Sequence, residues 1–119
     1  MGHLKVKRVY EGAEASDGLR ILVDRLWPRG VKKEQAGIDL WLKDVAPSPE
    51  LRKWFGHRPE RFEDFGQRYR EELAAEPEKQ QALADIKNQL AQGDVTLVYA
   101  AKDTKHNHVI ILKDYIEND

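Results

Sequence analysis

Two apolar runs are the feature of this sequence that most constrains its fold. Ile21, Leu22 and Val23 follow one another in the stretch "LRILVDR", and "TLVYAA", from Thr96 to Ala101, has the same character. Consecutive apolar residues of this kind are typical of strands that are covered on both faces. A long and mostly helical insertion separates the two runs, which suits a crossover between parallel neighbours. The pattern predicts an α/β domain with a mainly parallel sheet and helices on both faces.

Two further segments are interpreted as strands. The stretch "LKVKRVY", from Leu4 to Tyr10, alternates apolar and basic residues at its start, which predicts a first strand near an edge of the sheet. The stretch "IDLWLKDV" is ambiguous, because its apolar residues fit a period of two and also a helical period. We favour a short strand for it.

Three segments carry the signals of amphipathic helices. In "SPELRKWFG", Ser48 can cap a helix, Pro49 takes its first position and Gly56 can end it. The stretch "PERFEDFGQRYREEL" begins with Pro59 and places its aromatic residues on one stripe. The third segment, "EPEKQQALADIKNQLAQG", repeats this design up to Gly93. We therefore expect three helices between the two apolar runs.

The last segment, "HVIILKDYIEN", permits two interpretations. Asp103, Thr104 or Asn107 could cap a helix that begins near His106, and the apolar residues would then share one helical face. Its run of β-branched residues also permits a strand, which is the weaker alternative.

The composition excludes several classes of protein. The 119 residues fit one α/β domain over residues 1–119, and 20 Lys and Arg against 21 Asp and Glu leave a formal net charge of -1. Any basic function must therefore be local. The absence of cysteine excludes disulfides, thiolate nucleophiles and cysteine-ligated zinc. No segment has the apolar length of a membrane span, so we expect a cytoplasmic protein with no membrane partner. We also expect no cofactor.

A group of charged, aromatic and turn-forming residues comes directly after each of the two predicted central strands. They are Asp24, Arg25, Trp27, Pro28, Arg29 and Gly30 after the first strand, and Tyr99, Lys102, Asp103, His106, Asn107 and His108 after the second. In an open parallel sheet, ligands bind outside the carboxyl ends of the strands. We therefore expect these residues to form one cleft, in which arginine, lysine and the N–H groups of a helix start suit an anion.

The first hypothesis for function is the binding of a small anion that resembles a phosphate, a nucleotide or a sugar phosphate. The candidate ligand-binding residues are Arg25, Trp27, Arg29, Tyr99, Lys102, Asn107 and His108. The arginines and Lys102 would hold the anion, Asn107 or His106 would orient it, and Trp27 would form a wall. The structural alternative is a network in which Asp24 and Arg25 pair with Lys102 and Asp103 and only join two strand ends.

Two other classes of function stay open from the residues alone. Asp24 or Asp103 could exchange protons with a histidine such as His106 in a hydrolase or transferase. A nucleic-acid-binding module is less favoured; bases would stack on a tryptophan, Trp41 or Trp54, with Arg52, Lys53 and Arg58 nearby. We expect no metal site, because residues spaced like His106 and His108 point about 200° from each other on a helix. On an extended segment they would share one face, and a divalent ion would then need a third ligand such as Asp24 or Asp103.

Four long motifs in order carry a family resemblance. "VDRLWPRG", "WLKDVAPSPELRKWF", "FGQRYREEL" and "TLVYAAKDTKHNHVIIL" resemble the YeaO-like branch of domain-of-unknown-function family 488, over residues 6–115. The resemblance implies a small three-layer α/β domain of bacteria and archaea and implies no particular reaction.

This sequence departs from the pattern of other branches at two places. Those branches have an Asp-x-Arg strand end followed by proline, and a Cys-His-Arg-like segment that opens a later helix. Here the arginine lies directly after Asp24, as Arg25, and the stretch from Lys105 to His108 contains no cysteine. If the cysteine is a nucleophile elsewhere in the family, catalysis in this branch would need another group.

Overall fold

The computed structural model describes residues 2–118 and contains a four-stranded sheet in which all strands are parallel. The strands are β1 (Leu4–Arg8), β2 (Leu19–Leu22), β3 (Leu40–Trp41) and β4 (Val95–Tyr99), in the spatial order β1-β4-β2-β3. Packed around the sheet are the helices α1 (Lys33–Ala36), α2 (Pro49–Phe55), α3 (Phe62–Ala75), α4 (Pro77–Gln92) and α5 (His108–Asn118). The predicted α/β fold is confirmed.

The two apolar runs pair with each other in the interior of the sheet. β2 and β4 are parallel neighbours, with Ile21 opposite Leu97 and Leu22 opposite Val98, and these four side chains are fully buried. The pairing continues past β2, since the Val23 N–H donates to the Val98 carbonyl over 3.1 Å. The predicted crossover between parallel neighbours is therefore confirmed.

The first strand lies at one edge of the sheet, as its alternating pattern predicts. β1 pairs in parallel with β4 and starts with Leu4 opposite Val95. It ends at Arg8 and does not reach Tyr10, because residues Val9–Glu11 turn into a 3-10 helix.

One face of the sheet carries most of the apolar core. Side chains of β1, β2 and β4 that point to this face pack against the buried stripes of α2, α3, α4 and α5. The helical contribution comes from Leu51, Phe55, Phe65, Tyr69, Leu73, Ala82, Leu83, Ile86, Leu90, Val109, Ile111, Leu112 and Ile116. The long helices predicted from their apolar stripes therefore cover a single side of the sheet.

The opposite face has a thinner cover. Leu22 and Val98 point to this side together with Val9, and the two tryptophans Trp27 and Trp41 pack against them. The short helix α1 lies over the same face, where the side chain of Arg20 donates to its last carbonyls. Helices thus lie on both faces, but the second layer consists of one helical turn and the loop after β2.

The capping signals fix the ends of α2 where the sequence predicts them. Ser48 Oγ accepts a hydrogen bond from the Leu51 N–H at 3.2 Å, and Pro49 is the first helical residue. Gly56 adopts a left-handed conformation with φ of 54° and ends the helix.

Two predicted boundaries shift because short 3-10 turns replace part of a segment. Pro59–Arg61 form such a turn, so α3 begins at Phe62 and not at Pro59. In the ambiguous stretch, β3 is limited to Leu40–Trp41, and Lys43–Val45 form the next turn. The favoured short strand is present and is followed by helical geometry.

The last segment is helix α5, which begins at His108 and not at His106. Asn107 fixes this start, because its Oδ1 accepts hydrogen bonds from the Val109 and Ile110 N–H groups at 3.0 and 3.1 Å. The alternative of a strand over this segment is wrong.

A buried ionic cluster that the sequence analysis missed connects β2 to the loop before it. Arg20 Nη1 donates to Asp17 Oδ2 at 2.6 Å, and both side chains are almost fully buried. Lys7 Nζ lies 3.3 Å from the same carboxylate, and the other guanidinium N–H groups donate to the carbonyls of Ala36 and Gly37. The signal for this cluster in the sequence is Arg20, a charged residue within the otherwise apolar strand β2.

Replacement of Asp17 by Asn should lower the free energy of unfolding by about 3 kcal/mol at neutral pH, because it leaves Arg20 buried without its counter-charge. Burial raises the pKa of Asp17, but hydrogen bonds from the Glu14 N–H, Arg20 and Lys7 outweigh burial and hold the pKa below its usual value. The stabilisation is therefore present above the unfolded-state pKa of about 3.9 and is lost as the pH falls through the lower folded-state pKa. Urea unfolding across that pH range measures both effects.

Asp114→Asn is the matched control for this experiment. It removes an exposed pair with Arg70, in which the side chains are 54% and 44% exposed, and should cost less than about 1 kcal/mol. Equal losses in the two variants would contradict a structural role for the buried cluster.

Gly18→Ala should destabilise the fold more than Gly12→Ala. Both glycines have positive φ, of 66° and 81°, so alanine is strained at either position by about 1–3 kcal/mol. At Gly18 a Cβ would also lie 2.2 Å from the carbonyl oxygen of Asp94, just before β4, whereas the space at Gly12 is open. The midpoints of urea unfolding compare the stabilities of the two variants. A larger loss of stability in Gly12→Ala than in Gly18→Ala would contradict the close contact between Gly18 and the Asp94 carbonyl.

Candidate functional site

The carboxyl ends of β2 and β4 open into a cavity of about 630 Å³. It is lined by the residues that follow both strands and by part of α2; the charged and aromatic ones are Asp24, Arg25, Trp27, Arg29, Arg52, His57, Lys102, Asp103 and His108. Eight of the residues expected in the cleft therefore lie around one cavity: Asp24, Arg25, Trp27, Pro28, Arg29, Lys102, Asp103 and His108.

A second cavity, of about 320 Å³, adjoins the first. The two cavities share five lining residues, which are Pro47, Arg52, His57, Ala101 and His108. The smaller cavity is further lined by the aromatic side chains of Phe55 and Phe65 and by Pro49, Lys53, His106 and Asn107. We call the larger space the cationic compartment and the smaller one the aromatic compartment.

Asp24 connects three elements at the base of the cationic compartment. Its Oδ2 accepts a hydrogen bond from the Ala100 N–H at 2.9 Å, and its Oδ1 lies 3.5 Å from His108 Nε2. Its backbone carbonyl accepts from Trp41 Nε1 at 2.7 Å. Burial raises the pKa of Asp24, although His108, the Ala100 N–H and Arg52 act in the opposite direction.

His108 is held in one tautomer by the end of β2. The Val23 carbonyl can only accept, so Nε2, 3.1 Å away, carries the proton. Nδ1 is then a lone-pair acceptor, and no residue between 2 and 118 bonds to it. Burial lowers the pKa of His108 and so favours the neutral imidazole, whereas the negative charge of Asp24 acts in the opposite direction.

The carboxylate of Asp103 is hydrogen-bonded within its own loop. Its Oδ1 accepts from the N–H groups of Lys105 and His106 at 2.8 and 3.0 Å, and its Oδ2 lies 3.0 Å from His106 Nδ1. The hydrogen bond from the Lys105 N–H lowers the pKa of Asp103, and the hydrogen bonds from His106 lower it further. Together they outweigh the effect of burial, which raises this pKa. The carboxylate therefore stabilises the turn before α5.

Four cations that line the cationic compartment form no close ion pair with an acid among residues 2–118. Within residues 2–118, no carboxylate oxygen lies within 4.0 Å of a side-chain nitrogen of Arg25, Arg29, Arg52 or Lys102. The two acids of the compartment lie against histidines instead. The network anticipated as the structural alternative, in which Asp24 and Arg25 pair with Lys102 and Asp103, is not formed among these residues.

Arg25 is the most enclosed of these cations. One terminal nitrogen lies 3.4 Å from the Pro47 carbonyl, and Nε is buried with no hydrogen-bond partner in the described chain. A buried N–H group without a partner is rare in folded proteins, because its loss of water is not compensated. The guanidinium therefore has hydrogen-bonding capacity that the protein leaves unused.

Trp27 forms one wall of the compartment and is fixed by the loop around it. Its Nε1 donates to the Val31 carbonyl at 2.7 Å, and its ring meets Trp41 edge to face with 5.5 Å between centroids. Pro28 is buried and Gly30 has φ of 74°, so these two residues turn the chain back towards α1.

Three predicted residues have mainly structural contacts. Tyr99 lies in the main core rather than on a cavity wall. Asn107 lines the aromatic compartment, but its Oδ1 caps α5 and its Nδ2 donates to the Asp103 carbonyl at 2.8 Å. His106 also lines that compartment, and its ring packs edge to face on Phe62.

The residues considered for nucleic-acid binding do not gather on one surface. Trp41 packs against Trp27, whereas Arg52 and Lys53 line the aromatic compartment. Trp54 is covered by the guanidinium groups of Arg61 and Arg68, at 5.2 and 4.2 Å from its ring centroid. Its faces are therefore occupied by cations of the protein itself.

Two lining residues were not assigned to this cleft from the sequence. Arg52 lies on α2 and was considered only for nucleic acid, and His57, just after that helix, was left without a role. Neither residue lies directly after the end of β2 or β4 in the sequence. Only the packing of α2 against the sheet brings them close to the ends of these strands. A histidine directly after a helix-ending glycine was the available signal.

Two classes of feature are absent from residues 2–118. No three acidic or histidine side chains converge on a point that could hold a metal ion. None of the helices in that range combines the length and the apolar character needed to cross a membrane.

Replacement of Asp24 by Asn should lower the pKa of His108 further, because the Asp24 charge opposes the effect of burial. In the unchanged protein, His108 should titrate below the ordinary histidine value of about 6.5. Histidine ring signals followed by NMR across that range measure both values. A pKa that rises in Asp24→Asn would contradict the pairing.

The lowered pKa also has a consequence for stability. In the window between the folded-state pKa of His108 and its unfolded value of about 6.5, the unfolded chain binds more protons, so stability falls as the pH falls through that window. His108→Gln keeps an N–H donor for Val23 and should remove this contribution. Chemical unfolding at several pH values tests the difference.

Comparison with known proteins gives one family and several relatives. A family model described as "Inactive DUF488-N3 subclade" matches residues 3–119. An uncharacterised protein of Mycobacterium tuberculosis is 43% identical over 109 residues, which cover 92% of this chain and 89% of the relative. The uncharacterised protein YeaO of Escherichia coli is 44% identical over 116 residues, 98% of each chain. No solved structure gives a significant match.

These matches agree with the motifs and with the fold. They extend over almost the whole chain and include both strand ends of the cleft. The chain belongs to the DUF488 family and, within it, to the inactive N3 subclade.

Proposed function

We propose that this protein binds a small anionic ligand of the phosphate type in the cationic compartment. The observation that carries the proposal is a set of four cations that line one cavity and form no ion pair within 4.0 Å among residues 2–118, although the charge of Arg52 acts on Asp24. These cations are Arg25, Arg29, Arg52 and Lys102. In a protein with a formal net charge of -1, such a local excess of positive charge attracts anions.

The hydrogen-bonding capacity of Arg25 supports the same function. Its buried Nε has no partner in the described chain, so the contacts of the folded chain do not satisfy all N–H groups of this guanidinium. A guanidinium can bind two oxygens of a phosphate or carboxylate with parallel hydrogen bonds. Arg52 lines the same cavity from α2, so the two arginines would hold the anion from different elements.

The acids of the compartment do not oppose this function strongly. Asp103 is engaged by the turn before α5, and Asp24 accepts from the Ala100 N–H while lying beside His108. The Asp24 carboxylate is directed at the Ala100 N–H and at His108, and neither of its oxygens lies within 4.0 Å of a side-chain nitrogen of the four cations. Arg29 and Lys102 would add charge at the exposed rim, and Trp27 would bound the ligand on one side.

The other two functions have less support. The description of the subclade as inactive argues against a hydrolase or transferase, although His108 beside Asp24 keeps a free lone pair on Nδ1. Stacking of bases on Trp54 would require the displacement of Arg61 and Arg68 from its ring. We therefore favour a binding protein over a catalyst or a nucleic-acid-binding module.

Titration of the protein with inorganic phosphate tests the proposal, with backbone NMR signals as the readout. We expect shifts at Arg25, Ala100 and Lys102, and weaker binding at higher salt because the contact is electrostatic. Arg25→Gln and Arg52→Gln should each weaken binding about tenfold, the equivalent of one hydrogen bond to a charged group.

Arg70→Gln is the matched control, since it removes the same charge from an exposed ion pair with Asp114 on α5. Its phosphate affinity should equal that of the unchanged protein. If Arg70→Gln weakens binding as much as Arg25→Gln, the anion is responding only to net charge and the proposed site is wrong.

A further inference from the structure

We propose that the anion bound by the cationic compartment carries a flat heteroaromatic ring, which binds in the aromatic compartment, so that the ligand is of the nucleoside monophosphate class. This inference rests on the proposed function, because it assumes the anion site and adds the rest of the ligand. It is carried by the way in which the two compartments join.

Arg52 and His108 line both compartments. A phosphate held by Arg52 would therefore lie at the boundary between them, and a group attached to that phosphate could enter the aromatic compartment directly. The volumes of about 320 and 630 Å³ both fall within the range of about 300–1,000 Å³ that is usual for small-molecule sites. Together they suit a ligand with two chemically distinct halves.

The lining of the aromatic compartment suits a flat ring better than a sugar alone. Phe55 and Phe65 stack on each other with 4.2 Å between centroids, and Pro47, Pro49 and Ala101 complete the apolar part of the lining. Among the described residues that line it there is no carboxylate, and its charged side chains are Arg52 and Lys53. The apolar part of this lining favours a ring over a polyhydroxylated group. Polar atoms at the edge of a heteroaromatic ring can bond to the polar part of the lining, which is Arg52, Lys53, His57, His106, Asn107 and His108.

His57 provides an independent observation. It lies on the walls of both compartments and has φ of 57°, the one positive φ at a non-glycine position in residues 2–118. Such a conformation is uncommon for a side-chain-bearing residue and is found preferentially at ligand sites. No hydrogen bond from residues 2–118 occupies its ring nitrogens, so the imidazole can stack on a base or bond to its edge.

The test compares three probes by calorimetric titration: adenosine 5′-monophosphate, ribose 5-phosphate and adenosine. We expect the nucleotide to bind about tenfold more tightly than ribose 5-phosphate, since stacking of one base on aromatic side chains is worth about that factor. Adenosine should bind much more weakly than the nucleotide, because it lacks the phosphate.

Two variants of His57 make the test specific to the aromatic compartment. His57→Gly and His57→Asn both remove the imidazole and both tolerate positive φ, so the fold should be retained, which thermal unfolding checks. Each should abolish the preference for the nucleotide and leave the affinity for ribose 5-phosphate unchanged. A preference that survives in both variants would overturn the placement of the ring beside His57.

The failures of the two proposals give different results. Equal affinities for the nucleotide and ribose 5-phosphate would overturn the inference about the ring and leave the anion site standing. Adenosine binding as tightly as its monophosphate would overturn the anion site. No binding of either phosphate would overturn both.

Discussion

The parallel pairing of β2 with β4 is the constraint on which the rest of the structure depends. It brings the end of "LRILVDR" beside the end of "TLVYAA", although a long helical insertion separates them in the chain. Once Val23 has bonded to Val98, the Asp24 carboxylate reaches the Ala100 N–H, and His108 at the start of α5 bonds back to Val23. The cleft is thus a direct consequence of the strand register.

The two faces of the sheet contribute differently to the stability of the fold. The long helices cover one face and supply most of the apolar burial, so they carry the hydrophobic stabilisation of the fold. The other face is covered by α1 and the loop that holds Trp27, and it contains the buried cluster of Asp17 and Arg20. The ionic cluster holds the end of α1, whereas the contacts of Trp27 with Val31 and Trp41 hold the loop that forms one wall of the cleft.

Much of the fold and part of the site were predictable from local signals. Capping residues such as Ser48 and apolar stripes define helices through contacts a few residues apart, so their type could be read directly. The residues after β2 and β4 could be placed together because parallel strands end at the same edge. The start of α3 and the edge of β3 depended on single 3-10 turns, which have no strong sequence signal.

The sequence by itself determined that two apolar strands pair in parallel, that helices connect them and that cations follow their ends. Only the tertiary structure decided which charges are neutralised, because ion pairs depend on distances between side chains and not on their order in the chain. It paired Asp24 and Asp103 with histidines, left Arg25 and Lys102 without acids, and brought Arg52 and His57 from α2 and the residues after it to the same cavities.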